Sequence, residues 1–408
     1  MLFWLGLTFM AAFPLSPLLG AGLVGIGLAV LPWTNALSGR GLLVNGKDLA
    51  FLAYILVGVG VTVVHTGTRD LGFAVRLLAY PWAVSFLFQN LWMNERRVDL
   101  LLKCVMAVAL IVAAVMLFQV APGSFDFSPV RLFTLDRQQG FYFLSDTPFG
   151  PNTVAYLAAA GIAASVGLFK GGRATPPVVV GGGVLLVFLV VSGGRMAWAA
   201  VLTVLLVATL FDGRGRPALR FRRLAAGLLA ISLVVAIGWW ASSRILAGEA
   251  GAGFEQRLAG IANPTEDRSF AARATYWAAA VEMFLDNPMG HGVNAYNDRF
   301  GRTPHNEVLG QLVATGWHGT LIYFGLLGVT AFLVLRAWRQ GVSSAHSSVR
   351  SAAVYCGLIV ALAMLTEHVS RAGINGLYMI FWILVGAALA RYREHPAPVD
   401  TPHPAGDA

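Results

Sequence analysis

Charge is what this chain has least of. Only 12% of its 408 residues are Asp, Glu, Lys or Arg, about half the share found in soluble domains. So few charges cannot clothe a water-facing surface, and a soluble globular enzyme is excluded. Cysteine is also scarce. Cys104 and Cys356 both fall in apolar stretches, which speaks for buried small hydrophobes rather than a disulfide or metal pair. There is no acidic cluster of the kind that holds a divalent metal with phosphates. Gly290-His291-Gly292 is no dinucleotide fingerprint, since no strand precedes it and no G-x-x-G follows. No intramembrane row of carboxylates suggests a proton relay, and no transporter-like repeat is evident. The start of the chain lacks a basic n-region and a small-residue cleavage site, so Met1 is expected to begin the mature protein.

Apolar residues are abundant instead: 57% of the chain, with a mean hydropathy of +0.68. They come in twelve blocks, at about 2–18, 19–33, 49–65, 72–92, 100–120, 151–169, 177–191, 196–211, 224–241, 307–336, 351–368 and 374–390. Most approach the roughly 20 residues that span hydrocarbon, and backbone in lipid must satisfy its own hydrogen bonds, so each block should be a helix. The expected fold is an all-α polytopic membrane protein of about twelve transmembrane helices. Pro14, Pro17 and Gly20 leave open whether residues 2–33 are two helices or one kinked segment.

The net charge of +9 does not point to nucleic acid, because the basic residues sit in short inter-helix loops. Seventeen of the 29 Lys and Arg residues fall on one face, among them Lys47, Arg96, Arg97, the run from Arg214 to Arg223, Arg336, Arg339 and Arg391. The positive-inside bias makes that face cytoplasmic, with both termini inside. The expected divisions are residues 1–241 (nine helices), 242–306 (a periplasmic loop), 307–390 (three helices) and 391–408 (a disordered, Pro-rich cytoplasmic tail). Within the loop, Ser269 to Asp286 reads as an amphipathic helix. Phe270, Ala274, Trp277, Val281 and Phe284 recur at helical spacing, a face suited to lying on the membrane surface. Long loops in compact proteins tend to be functional, so the chemistry is expected on this outer side.

Three places there could carry it. Arg195, in Ser192-Gly193-Gly194-Arg195, could hold an anion at a helix start, or simply reach for lipid headgroups. Arg268 and Arg273 head the amphipathic helix. Either could face solvent or headgroups, although Tyr276 and Trp277 one turn on could steady the Arg273 guanidinium. Thr303 is a good N-cap and Pro304 suits the first helical position. His305 is thereby expected in the first turn of the next helix, where the dipole disfavours imidazolium and a neutral, proton-accepting ring fits. A lone histidine there is otherwise only an interfacial residue.

The order of these segments resembles the O-antigen ligase/polymerase superfamily. The residues that carry the likeness are Ser192 to Trp198, Arg273 to Trp277, Asp286 to Gly292, and His305-Asn306-Glu307-Val308-Leu309 followed by Gly316 to Gly319. The detail spans roughly 190–390. The Gly-Gly-Arg before Met196 departs slightly from the family's Ser-Arg, with the arginine kept. The resemblance implies a fold similar to the GT-C glycosyltransferases and a metal-independent transfer at the periplasmic side of the inner membrane. It implies a glycan donor linked to undecaprenyl diphosphate, with lipid A–core or another glycan as acceptor. It assigns essential roles to Arg195, Arg273 and His305, and matches Arg268, Arg302 and Asn306 less closely. Two arginines can bind a diphosphate leaving group bidentately without a metal or any cofactor, and His305 would act as general base. The favoured expectation is O-antigen ligation. Polymerisation of repeat units is the nearest alternative, and a lipid-linked glycan transporter the most distant.

Overall fold

A computed structural model describes residues 2–12, 17–39, 41–120, 133–136, 140–143, 147–149, 151–191, 194–210, 236, 268–340, 344–370 and 376–391. Most of the expected block 224–241, the arginine-rich run 214–223, the segment 242–267 and the Pro-rich tail lie outside the described residues. The helices are α1 (Leu2–Ala12), α2 (Pro17–Leu37), α3 (Gly46–Thr66), α4 (Leu71–Asn90), α5 (Glu95–Val120), α6 (Pro151–Lys170), α7 (Pro176–Val191), α8 (Arg195–Leu210), α9 (Arg268–Asp286), α10 (Ala295–Phe300), α11 (Glu307–Arg339), α12 (Ser344–Ala363) and α13 (Leu377–Leu389). The first apolar stretch is thus two helices.

Among the described residues, four stretches are long and apolar enough to cross a membrane: α3, α4, α11 and His346–Ala363 of α12. Shorter apolar helices accompany them, including α6, α7, α8 and α13. The chain is a multi-pass helical membrane protein. One correction to the all-α expectation is needed. Phe133–Asp136, Gly140–Phe143 and Thr147–Phe149 form a three-stranded antiparallel sheet, β1-β2-β3. Phe133 pairs with Phe143, and Phe141 with Phe149. Aromatic and β-branched residues favour pleated backbone, but strands of three or four residues leave little periodicity to read.

The centre of the bundle is built from α6 and α13. Every residue from Leu377 to Ala388 is buried, the mark of a helix packed on all sides. Trp382 meets Phe51 of α3 at a ring separation of 4.4 Å. Gly386 brings α13 against the Ser85 carbonyl of α4, where any side chain would collide, a small-residue contact of the kind that lets membrane helices approach closely. Lys47, counted above among the cytoplasmic-face charges, is instead fully buried. It pairs with Asp48 at 2.8 Å and donates to Ser85 Oγ at 3.2 Å. The cause is the capping box of α3: Asp48 accepts from the Asn45 amide and so carries the lysine inward.

The longest helix, α11, is broken. Gly316 sits at φ 69° and ψ −175° inside its 33 residues, so the ladder breaks after it and the Trp317 amide needs another acceptor. The Pro288–Gly292 turn after α9 fills the gap with main-chain bonds. His291 N donates to Val313 O (2.8 Å), Gly292 N to Ala314 O (3.0 Å), and Trp317 N to Pro288 O (3.1 Å). Gly290, at φ 98°, lies so close that a Cβ there would stand 2.6 Å from Gly316 N. Two facing glycines therefore dock α9 onto α11, with the freed backbone groups satisfied as a membrane environment requires.

Candidate active site

The docking of α9 sets which of its faces looks inward. Ala280 and Met283 are buried against Tyr296 and Val313, with Tyr276 and Ala279 packed beside them. Arg273 shares this face, three residues before Tyr276. Ala274 and Val281, on the stripe assigned above to the membrane surface, are exposed. The arginine is thus aimed at the start of α11.

That start differs from the expectation. Its N-cap is Asn306, whose side chain accepts from Leu309 N at 3.0 Å, rather than Thr303. His305 stands one residue outside the helix, not in its first turn. It takes φ 51°, the one positive φ of a non-glycine among the described residues. Such backbone costs on the order of 1–3 kcal/mol and persists where the surroundings over-determine it. Those surroundings are the turn after α12. Asn306 Nδ2 donates to Leu365 O at 3.3 Å, and Glu307 N donates to Met364 O at 2.9 Å.

The same turn supplies Glu367. One carboxylate oxygen stands 2.9 Å from His305 Nδ1 and the other 3.3 Å from an Arg273 terminal nitrogen. The side chains of Arg273 and Glu367 are each 18% exposed, and that of His305 is 34% exposed. The cluster is sheltered yet open to a ligand. A carboxylate on Nδ1 fixes the ring's tautomer and leaves Nε2 to accept a proton. Among the described residues, the ion pair engages one terminal nitrogen of Arg273. The rest of its fork is available to an anion.

Around this centre, Arg302 stacks on the Tyr276 ring, 4.8 Å from its centroid, and donates to the Tyr276 hydroxyl. The Tyr276 ring lies 6.1 Å from that of His305. Tyr296 donates to the Tyr276 carbonyl at 2.9 Å. Burial, then the neighbouring Tyr276, pushes the Tyr296 hydroxyl up to about 12 against the opposing charge of Arg302, so it stays a neutral donor. From α6, Tyr156 OH pairs with Thr366 Oγ at 3.2 Å.

The other expected residues are placed less closely. Arg268 opens α9, about one and a half turns before Arg273. Arg195 is half-buried and opens α8. It stands at the same end of the bundle. Gly182 of α7 lies against Ser165 of α6, as an antiparallel hairpin requires, so the end of α7 lies beside Tyr156. Trp198 Nε1 of α8 donates to Leu189 O near that end at 2.6 Å.

Glu367 is the residue that sequence reasoning passed over. It lies inside what reads as the apolar block 351–368. Its signal was available, since an ionisable residue at a membrane helix end is a functional candidate by default. Glu307 was overlooked for the same reason, as one letter within a motif. Among the described residues no group of three or more His, Cys, Asp or Glu side chains could hold a metal ion.

A model of the O-antigen ligase family matches residues 180–324, a stretch that holds all six arginine, histidine and asparagine candidates and stops short of Glu367. This bears out the resemblance to the O-antigen ligase/polymerase superfamily. No curated protein matches the chain.

Proposed function

We propose that the protein transfers an O-antigen polysaccharide from undecaprenyl diphosphate to lipid A–core oligosaccharide, at the periplasmic face of the inner membrane. The observation that carries this reading is the Arg273–Glu367–His305 cluster, an arginine fork and an oriented imidazole brought together at one mouth. The acceptor hydroxyl would attack the anomeric carbon as the bond from that carbon to the diphosphate oxygen breaks. Nε2 of His305 takes the hydroxyl proton while Glu367 stabilises the resulting imidazolium through Nδ1. The diphosphate leaves with the bonding electrons, and Arg273 with Arg195 meets the growing charge. Arg302 borders this site as a further cation, Arg268 would add a second from the start of the same helix as Arg273, and Asn306 fixes the backbone beside the base. No metal is required in this scheme. A twelve-span layout with the 242–306 segment outside would keep the lipid tail in the bilayer and the sugar in water.

Gene deletion followed by gel analysis of lipopolysaccharide tests the reading. The expected outcome is loss of capped lipid A–core with long lipid-linked polymer retained. Loss of the polymer itself would instead assign the polymerase reaction.

A further inference from the structure

Two residues past His305, Glu307 is fully buried, and the transfer reaction makes no use of its carboxylate. A buried anion is costly unless its oxygens are hydrogen-bonded, and an apolar residue of similar volume is often no worse for stability. Its partners indicate what it is for. One oxygen accepts from Ser370 N at 3.0 Å, and the other from Gln311 Nε2 at 2.9 Å. Gln311 Nε2 also reaches Ser370 Oγ at 2.7 Å, and its oxygen accepts from Tyr54 OH at 2.8 Å. No ion pair to Glu307 occurs among the described residues. The Glu307 amide meanwhile holds Met364 O. One residue thus grips the turn after α12 at both ends, Met364 and Ser370, and Glu367 lies midway between them.

We infer that Glu307 is a positioning residue for the reaction: its carboxylate anchors the 364–370 turn so that Glu367 reaches His305 and Arg273 together. The inference rests on the transfer chemistry proposed above. What matters is an oxygen at the right reach, not the charge. Gln at this position keeps an oxygen for Ser370 N, and the Gln311 amide can turn over to accept from the new amide group, with the Ser370 hydroxyl then donating to it and the Tyr54 hydroxyl accepting from it. Asp keeps the charge but is one methylene short.

The test measures donor affinity and single-turnover transfer on detergent-solubilised full-length protein, with undecaprenyl-diphosphate-linked glycan as the probe. Glu307→Gln should transfer within about fivefold of the unmutated protein, whereas Glu307→Ala and Glu307→Asp should slow the step by roughly 10–100-fold, as lost outer-shell partners of a histidine do. Donor affinity should change by less than about threefold in all three. Adding Glu307→Ala to Glu367→Gln should cost little more than Glu367→Gln alone, because both act through one contact. Additive losses in that double variant would overturn the role, as would a slow Gln beside a normal Asp. Should Glu307→Ala fail to fold, the Gln and Asp variants carry the same comparison. His305→Ala separates the two claims. Normal transfer by that variant sinks the reaction itself, while slow transfer beside a normal Glu307→Asp sinks only the role of Glu307.

Discussion

His305 and Arg273 do different work in this site, and their variants should separate it. His305→Ala should bind the lipid-linked donor nearly normally and lose on the order of 10²–10⁴ in transfer rate, because only proton removal is gone. Arg273→Ala should weaken both binding and turnover, since the diphosphate is charged before and during bond cleavage. Arg273→Lys should restore part of each, for an ammonium cannot reproduce the bidentate fork. Glu367→Gln should keep donor affinity and lose on the order of 10² in rate, because the amide leaves the imidazolium without its counter-charge. Donor affinity and single-turnover rates on the four proteins check the set. A His305→Ala protein that binds as poorly as Arg273→Ala would make the histidine a diphosphate ligand.

At the scale of elements, the join between α9 and α11 carries the geometry. Gly290→Ala places a methyl 2.6 Å from Gly316 N at a φ of 98°, so strain and steric overlap together should cost about 2–4 kcal/mol. The variant should show a lower Tm and, in whatever fraction stays folded, weakened donor binding as Arg273 shifts. A thermal melt in detergent decides it. Unchanged stability would mean that the turn rests more loosely on α11 than these distances say. This join also marks how far the sequence could be read. The long apolar runs of α3, α4 and α11 declare themselves because lipid imposes one requirement on some twenty consecutive residues. The helix α9 was legible for a different reason, the recurrence of apolar residues at helical spacing. The start of α11 was misplaced by three residues because Thr303 and Asn306 are both good caps. The choice between them is made by Leu365, Met364 and Glu367, about sixty residues away in the chain. No local pattern could report that choice. The β1-β2-β3 sheet was missed because its strands are shorter than any period they could display.

At the scale of the whole molecule, labelling tests the orientation proposed from the basic residues. Cysteines placed at Ser242 and Thr303 should react with an impermeant reagent in intact cells, and one at Ser343 should not. Labelling of Ser343 alone would invert the topology and put the His305 mouth in the cytoplasm. The burial of Lys47 against Asp48 removes one charge from the cytoplasmic tally without changing its sign. The turn after α12 has a further consequence, for the order in which the protein is made. Arg195, Arg273 and His305 all emerge from the ribosome before residue 310, but Glu367 follows only after α12 has been threaded. Until then, the contacts from Met364, Leu365 and Glu367 that brace the strained backbone at His305 and its ring are missing. Chains arrested at residue 343 lack α13, the buried centre of the bundle, as well as Glu367, and should not transfer donor. The enzyme would stay silent during its own insertion, and the last helices would switch it on.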